Sequence, residues 1–267
     1  MSQSSNQDAR KQANTVAKSE LEPSWKGLYR VSGVLIIITG ILGFFLMLGG
    51  ATLYKSGYPS NPTAYLQLVS QHQGLANGLW SLWILSDFLG IAPTVALYLV
   101  LRHYNRTLAL VGTLIAGFYL FYDISVTELN SLTLVSLSHG YASATTDALR
   151  ASYVGPATYG YAALPLQTVL SFGIGSVGYL LWCVPMVKSL FGRPTAVFGV
   201  VVNLVGIIGA AAPVVSSSIL GWLQFLAPPL IGLWSILVGF KLYRHSSQFA
   251  YLDGTTHPTG QTATIER

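Results

Sequence analysis

The sequence predicts an all-α, polytopic membrane protein, a bundle of six transmembrane helices. Three observations predict it. Hydrophobic residues make up 52% of the chain and charged residues only 9%, where a soluble domain carries about 25% charge. The apolar residues are gathered into six long runs, each close to the roughly 20 residues that a helix needs to cross a bilayer. The basic residues fall between those runs and favour alternate connections.

The six spans run over about 31–53, 78–101, 108–137, 162–187, 196–215 and 219–241. Lys26 and Arg30 precede the first, Arg102 and Arg106 separate the second from the third, Lys188 and Arg193 separate the fourth from the fifth, and Lys241 and Arg244 follow the sixth. The opposite connections carry only Lys55 and Arg150. Basic loops stay in the cytoplasm, so both termini are expected there, in a multi-pass protein of the cell membrane. Residues 1–25 are polar, include Arg10, Lys11 and Lys18, and lack the short apolar core of a cleavable signal. They are expected to form a disordered cytoplasmic tail, followed by a transmembrane domain over 26–245 and a second tail over 246–267.

Two non-basic connections are long. In the first, Asn61-Pro62 reads as an N-cap with proline at the first helical position. It predicts a short interfacial helix over 62–73 with Tyr65, Leu66 and Val69 as its apolar side. The second, 138–161, reads as a Gly-, Ser- and Tyr-rich loop with one helical turn at Thr146–Arg150. Tyr141, Tyr153, Tyr159 and Tyr161 there have the character of interfacial aromatics.

Several function classes are excluded. The net charge of +5 is scattered over helix ends and forms no nucleic-acid-binding patch. One cysteine, Cys183, cannot make an internal disulfide and reads as a packing residue. The histidines His72, His103, His139, His245 and His257 show no local ligand spacing, so no metal set and no cofactor is expected. Gly173 to Gly178 scans as Gly-x-Gly-x-x-Gly but lies within a span, where it cannot be a dinucleotide loop. No catalytic residue is assigned.

Small residues form stripes at helical spacing: Gly199, Asn203, Gly206 and Ala210 on the fifth span, Gly112 and Ala116 on the third, Ser171 and Gly175 on the fourth. Such stripes let helices approach closely in lipid. They serve packing within the bundle or, alternatively, a homodimer or a partner in a membrane complex.

The most informative residues are the acids Asp87, Asp123 and Glu128, which lie within spans. An ionised side chain at the bilayer centre costs roughly 2.5–3.5 kcal/mol on insertion scales, so each is a candidate for a proton or cation site. The turn between the second and third spans is centred near Tyr104-Asn105. Asp87 and Asp123 lie about 18 residues on either side of it, which at 1.5 Å per residue sets them at nearly one depth. Glu128, five residues past Asp123, falls about 140° round an α-helix from it. No Lys or Arg lies within a span to neutralise these acids. Ser86, Tyr119, Tyr122, Asn130, Gln167 and Asn203 are the polar residues available to bond them. Tyr122-Asp123 with a second aspartate also resembles an intramembrane aspartyl protease. That resemblance implies paired acid and base carboxylates, but Ile84-Leu85-Ser86 stands where such enzymes place Gly-x-Gly before the aspartate.

Tyr29-Arg30-Val31-Ser32-Gly33, Ala96 to Arg102, Asn105 to Leu110, Gly173 to Leu181 and Phe191-Gly192-Arg193-Pro194 together resemble a bacterial six-helix integral membrane family catalogued as domain of unknown function 4386. The likeness covers roughly 27–243. It implies a six-helix bundle and no known activity. The function expected from the residues is a small transporter-like or ion-responsive bundle with a buried Asp pair. The alternatives are a non-catalytic scaffold or accessory subunit, and the protease-like enzyme.

Overall fold

A computed structural model describes residues 23–55, 59–215 and 218–253. Among these the chain is almost wholly helical, with short connecting turns and no strands. After a 3-10 turn at Pro23–Trp25 come α1 (Lys26–Leu53), α2 (Pro62–Gln71), α3 (Gln73–Leu101), α4 (Arg106–Ser143), α5 (Asp147–Met186), α6 (Gly192–Val215) and α7 (Ser218–Asp253). All but α2 are long and apolar enough to cross a membrane. The protein is therefore a multi-pass membrane protein.

The helices are longer than the hydropathic runs. The α5 helix begins at Asp147, so most of the expected loop 138–161 is helical. Its 40 residues rise about 60 Å, twice the thickness of a hydrocarbon core. Within 147–161 only Ala157 and Gly160 are buried, where α5 rests on α2 and α4; the rest of this stretch is exposed or half-buried, so its composition reads as a loop. The α7 helix likewise continues to Asp253, into the expected second tail. Residues 1–22 and 254–267 lie outside the described residues.

Side-chain caps fix three helix starts. Asn61 Oδ1 accepts from the Ala64 amide at 2.9 Å, Asn105 Oδ1 from Leu108 at 3.0 Å, and Thr146 Oγ1 from Leu149 at 3.2 Å. Asn105→Ala is expected to cost about 1 kcal/mol, measured as a lowered unfolding midpoint of the purified protein.

The six long helices form a closed ring in the order α1, α3, α4, α5, α6, α7 and back to α1, each packed on its neighbours. The short α2 packs on α4 and α5. Its apolar side is the one read from the sequence, but Tyr65, Leu66 and Val69 face protein, not lipid.

Two apolar cores fill the ring. One includes Tyr29, Leu101, Ala109, Trp182, Met186, Phe191 and Leu242, and marks the end carrying the basic connections. There Lys241 donates through Nζ to the Phe191 carbonyl and to Thr195 Oγ1, tying α7 to the start of α6. The second core joins Leu53 and Ala76 to α2 and to Leu134, Val135 and Ala157 at the opposite end. The three acids belong to neither core.

The small-residue stripe of α6 is used inside the chain. An added Cβ at Gly199 would lie 2.5 Å from Cys183 Sγ, and one at Gly206 would lie 2.4 Å from Ser176 Oγ. Cys183 is buried there, a packing residue whose thiol donates to the Tyr179 carbonyl.

Candidate functional site

The site lies where α3, α4 and α5 meet, between the two apolar cores. Asp87 comes from α3. Asp123 and Glu128 come from α4, at the two ends of a π-helical segment, Asp123–Glu128. In this segment the hydrogen bonds run from i to i+5, so residues five apart stack on one face. The α-helical expectation that separated Glu128 from Asp123 is thereby corrected. One oxygen from each of Asp87, Asp123 and Glu128 lies within 4.8 Å of the others.

All three acids are buried, Asp87 at 5%, Asp123 at 3% and Glu128 at 1% exposure. Their partners are unequal. Ser171 Oγ on α5 donates to Asp123 Oδ1 at 2.5 Å, and Ser171 Oγ also shares a hydrogen bond with Thr127 Oγ1 at 2.8 Å. Asp123 has Trp83 as a further polar neighbour, and Asp87 has Tyr119. By contrast, among the described residues Asp87 Oδ2 and Glu128 Oε2 are buried with no hydrogen-bond partner.

Two cavities flank the carboxylates. One of about 140 Å³ is lined by Asp87 together with Ser86, Tyr119, Ser171, Tyr179 and Ser235. The other, of about 160 Å³, is lined by Asp123 and Glu128 together with Tyr54, Tyr65, Thr127 and Ser131. Trp83, Ser171 and Phe172 border both and form the partition between them. Each has room for water. Among the described residues, no Lys, Arg or His lines either cavity.

The polar residues named from the sequence divide. Ser86 and Tyr119 face the Asp87 cavity. Tyr122 does not join the site: it is half-buried and stacks on Phe118 with ring centroids 6.3 Å apart. Asn130 donates instead to Gln167 Oε1 at 2.9 Å and to the Gly160 carbonyl at 3.0 Å, bracing α4 against α5. Asn203 sits on α6 and donates to its own helix at Gly199 O, 2.8 Å away; it borders neither cavity. These three positions share a helix with an acid or lie at a similar depth, but they project elsewhere.

The residues that do hold Asp123 were legible only as packing elements. Ser171 stands in a small-residue stripe with Gly175, and a serine in a membrane helix commonly bonds its own backbone. Ser171→Ala removes the donor from a buried carboxylate oxygen. It is expected to lower stability by about 1–3 kcal/mol, read as a fall in the thermal midpoint in a lipid nanodisc.

No family model matches this chain, and no curated protein or solved structure shows significant similarity to it.

Chemically, the centre offers only oxygen donors. Three carboxylates this close cannot all carry charge without compensation, and the neighbouring side chains supply hydroxyls, not cations. Protonation, hydrogen bonding to these hydroxyls or a bound cation would each relieve the repulsion.

Proposed function

We propose that this protein is a small transporter-like, ion-responsive bundle of the cell membrane, in which Asp87, Asp123 and Glu128 act as one site for a proton or a small cation. The observation that carries this reading is the convergence of two buried, partnerless carboxylate oxygens, Asp87 Oδ2 and Glu128 Oε2, with Asp123. Carboxylate and hydroxyl donors suit hard cations such as Na⁺, Mg²⁺, Ca²⁺ or Mn²⁺ better than metals that prefer thiolate or imidazole. The flanking cavities supply space for water on both sides of the centre, which a moving ion requires.

The basic residues of the connections support an orientation with both termini in the cytoplasm. On that reading the α2 cap and the Tyr54–Tyr65 cavity face outward. The resemblance to the bacterial six-helix family contributes an expected architecture but no activity. A scaffold role draws less support, because the small-residue stripe of α6 is occupied within the chain.

The test is thermal unfolding of the full chain in nanodiscs, across mildly acidic to mildly alkaline buffers and, at fixed pH, across Na⁺, Mg²⁺, Ca²⁺ and Mn²⁺. The wild-type midpoint is expected to move with pH, with one of these cations, or with both. A midpoint indifferent to all of them would sink the proposal. The pH series at constant salt separates a proton site from a metal site.

A further inference from the structure

A cavity larger than either of the two that flank the carboxylates lies outside the acid centre. It has a volume of about 690 Å³ and is lined by the last turns of α1, the first turns of α7, and Trp80, Trp83 and Phe172. That size falls within the range of pockets that enclose drug-sized ligands.

Its origin is visible in the α1–α7 packing. Near the basic end the two helices touch backbone to backbone at Gly33–Gly239 and Gly40–Gly232. Beyond Pro228 the contact fades: a Cβ on Gly43 would meet only Pro228 O at 3.9 Å, and Gly50 and Gly221 have nothing within 4 Å. The helices part, and a lateral groove opens between them. It is more than a surface furrow between neighbours. Phe172 belongs to α5, which adjoins neither α1 nor α7 in the ring, so the groove reaches across the interior to the far wall.

The floor of this groove is the partition already described. Trp83 and Phe172 pack edge to face with centroids 6.1 Å apart. Both border the groove and both polar cavities. Aromatic rings therefore stand between an apolar entrance and three carboxylates that have no Lys, Arg or His beside them among the described residues. The entrance contributes Met47, Trp80, Trp222 and Phe225, with Tyr54 and Gln224 as its polar members.

We infer that the groove admits a lipophilic organic cation, which settles against Trp83 and Phe172 with its charge neutralised by the Asp87–Asp123–Glu128 centre. The inference rests on the proposed reading of that centre and names the substrate class for it. Charge complementarity selects the occupant. A lipid acyl chain satisfies the apolar walls but leaves the carboxylates uncompensated. An inorganic ion satisfies the carboxylates but makes no use of the aromatic walls. A delocalised cation satisfies both, since a positive charge is attracted to indole and phenyl faces. It can also partition into the bilayer and enter sideways between α1 and α7. A proton or small cation at the same centre would then compete with it, and that competition is the minimal requirement for exchange.

The experiment measures binding of radiolabelled tetraphenylphosphonium to the full chain in nanodiscs, with empty nanodiscs subtracted. Saturable binding is expected, weakened by about tenfold or more in Asp123→Asn. The double substitution Trp222→Ala, Phe225→Ala is expected to weaken binding by about tenfold while leaving the ion response of the thermal midpoint unchanged. Uncharged triphenylphosphine oxide should fail to displace the label. Displacement by the neutral compound, or equal binding by Asp123→Asn, would identify the groove as an acyl-chain slot and overturn the inference. Absent saturable binding in a protein whose midpoint still responds to ions would defeat this inference alone. A midpoint without any ion response would defeat the parent reading.

Discussion

Replacing Asp87, Asp123 and Glu128 together by their amides is expected to abolish the response of the thermal midpoint to pH and cations. The substitutions keep size and leave Ser171 an acceptor at position 123, so the packing of α3, α4 and α5 is preserved. What disappears is the ability to bind a positive charge. A ligand that binds only the folded state adds about 2.7 kcal/mol when present at a hundred times its dissociation constant. For a chain of this size that corresponds to a midpoint shift on the order of 5–10 °C, large enough to read directly. Single substitutions test whether the acids form one site. If they do, Glu128→Gln alone weakens cation affinity by about tenfold, and adding Asp87→Asn costs much less than a second factor of that size, because coupled groups are not additive. Independent, additive losses would show three separate acids. A triple variant that responds like wild type would remove the site altogether.

The parts of this architecture that follow from hydrophobicity and charge were legible in the sequence. The spans follow from the length of the apolar runs, whereas the closing of the ring by α7 on α1 is a tertiary contact that the runs do not announce. The nearness of Asp87 and Asp123 follows from counting outward from the turn at Tyr104-Asn105. Glu128 was not placed by the same arithmetic, because the count assumed α-helical rotation. The π segment sets five-residue neighbours on one face, and its apolar residues carry no periodicity that announces it. It coincides with the side-chain bonds from Ser171 and Thr127, which are tertiary contacts. The helical start of α5 was hidden for a related reason. Gly155, Pro156 and a run of tyrosines read as a loop, yet Ala157 is wholly buried in the core that α2 and α4 provide. The aromatic groove has no signature along the chain at all. Its walls come from four helices, and only the parting of α1 from α7 creates it.

That parting depends on how tightly the same two helices hold together lower down, which sets the second large effect. A Cβ added at Gly239 would lie 2.6 Å from the Gly33 carbonyl oxygen and 3.0 Å from the Ile37 amide nitrogen. One at Gly40 would lie 2.6 Å from the Gly232 carbonyl oxygen. These are backbone contacts, which cannot yield as a flexible side chain does. Gly239→Val is therefore expected to force the helices apart and to destabilise the bundle by about 3 kcal/mol, the upper part of the range for overpacking. In lipid little hydrophobic force remains to compensate, since close packing is itself the source of helix association. Gly78→Ala on α3 is the control, because nothing lies within 4 Å of a Cβ there. The two variants should separate clearly in thermal midpoint and in the yield of monodisperse protein. If Gly239→Val were as stable as Gly78→Ala, the seam would not be closed as described, and the groove beyond Pro228 would lose its cause.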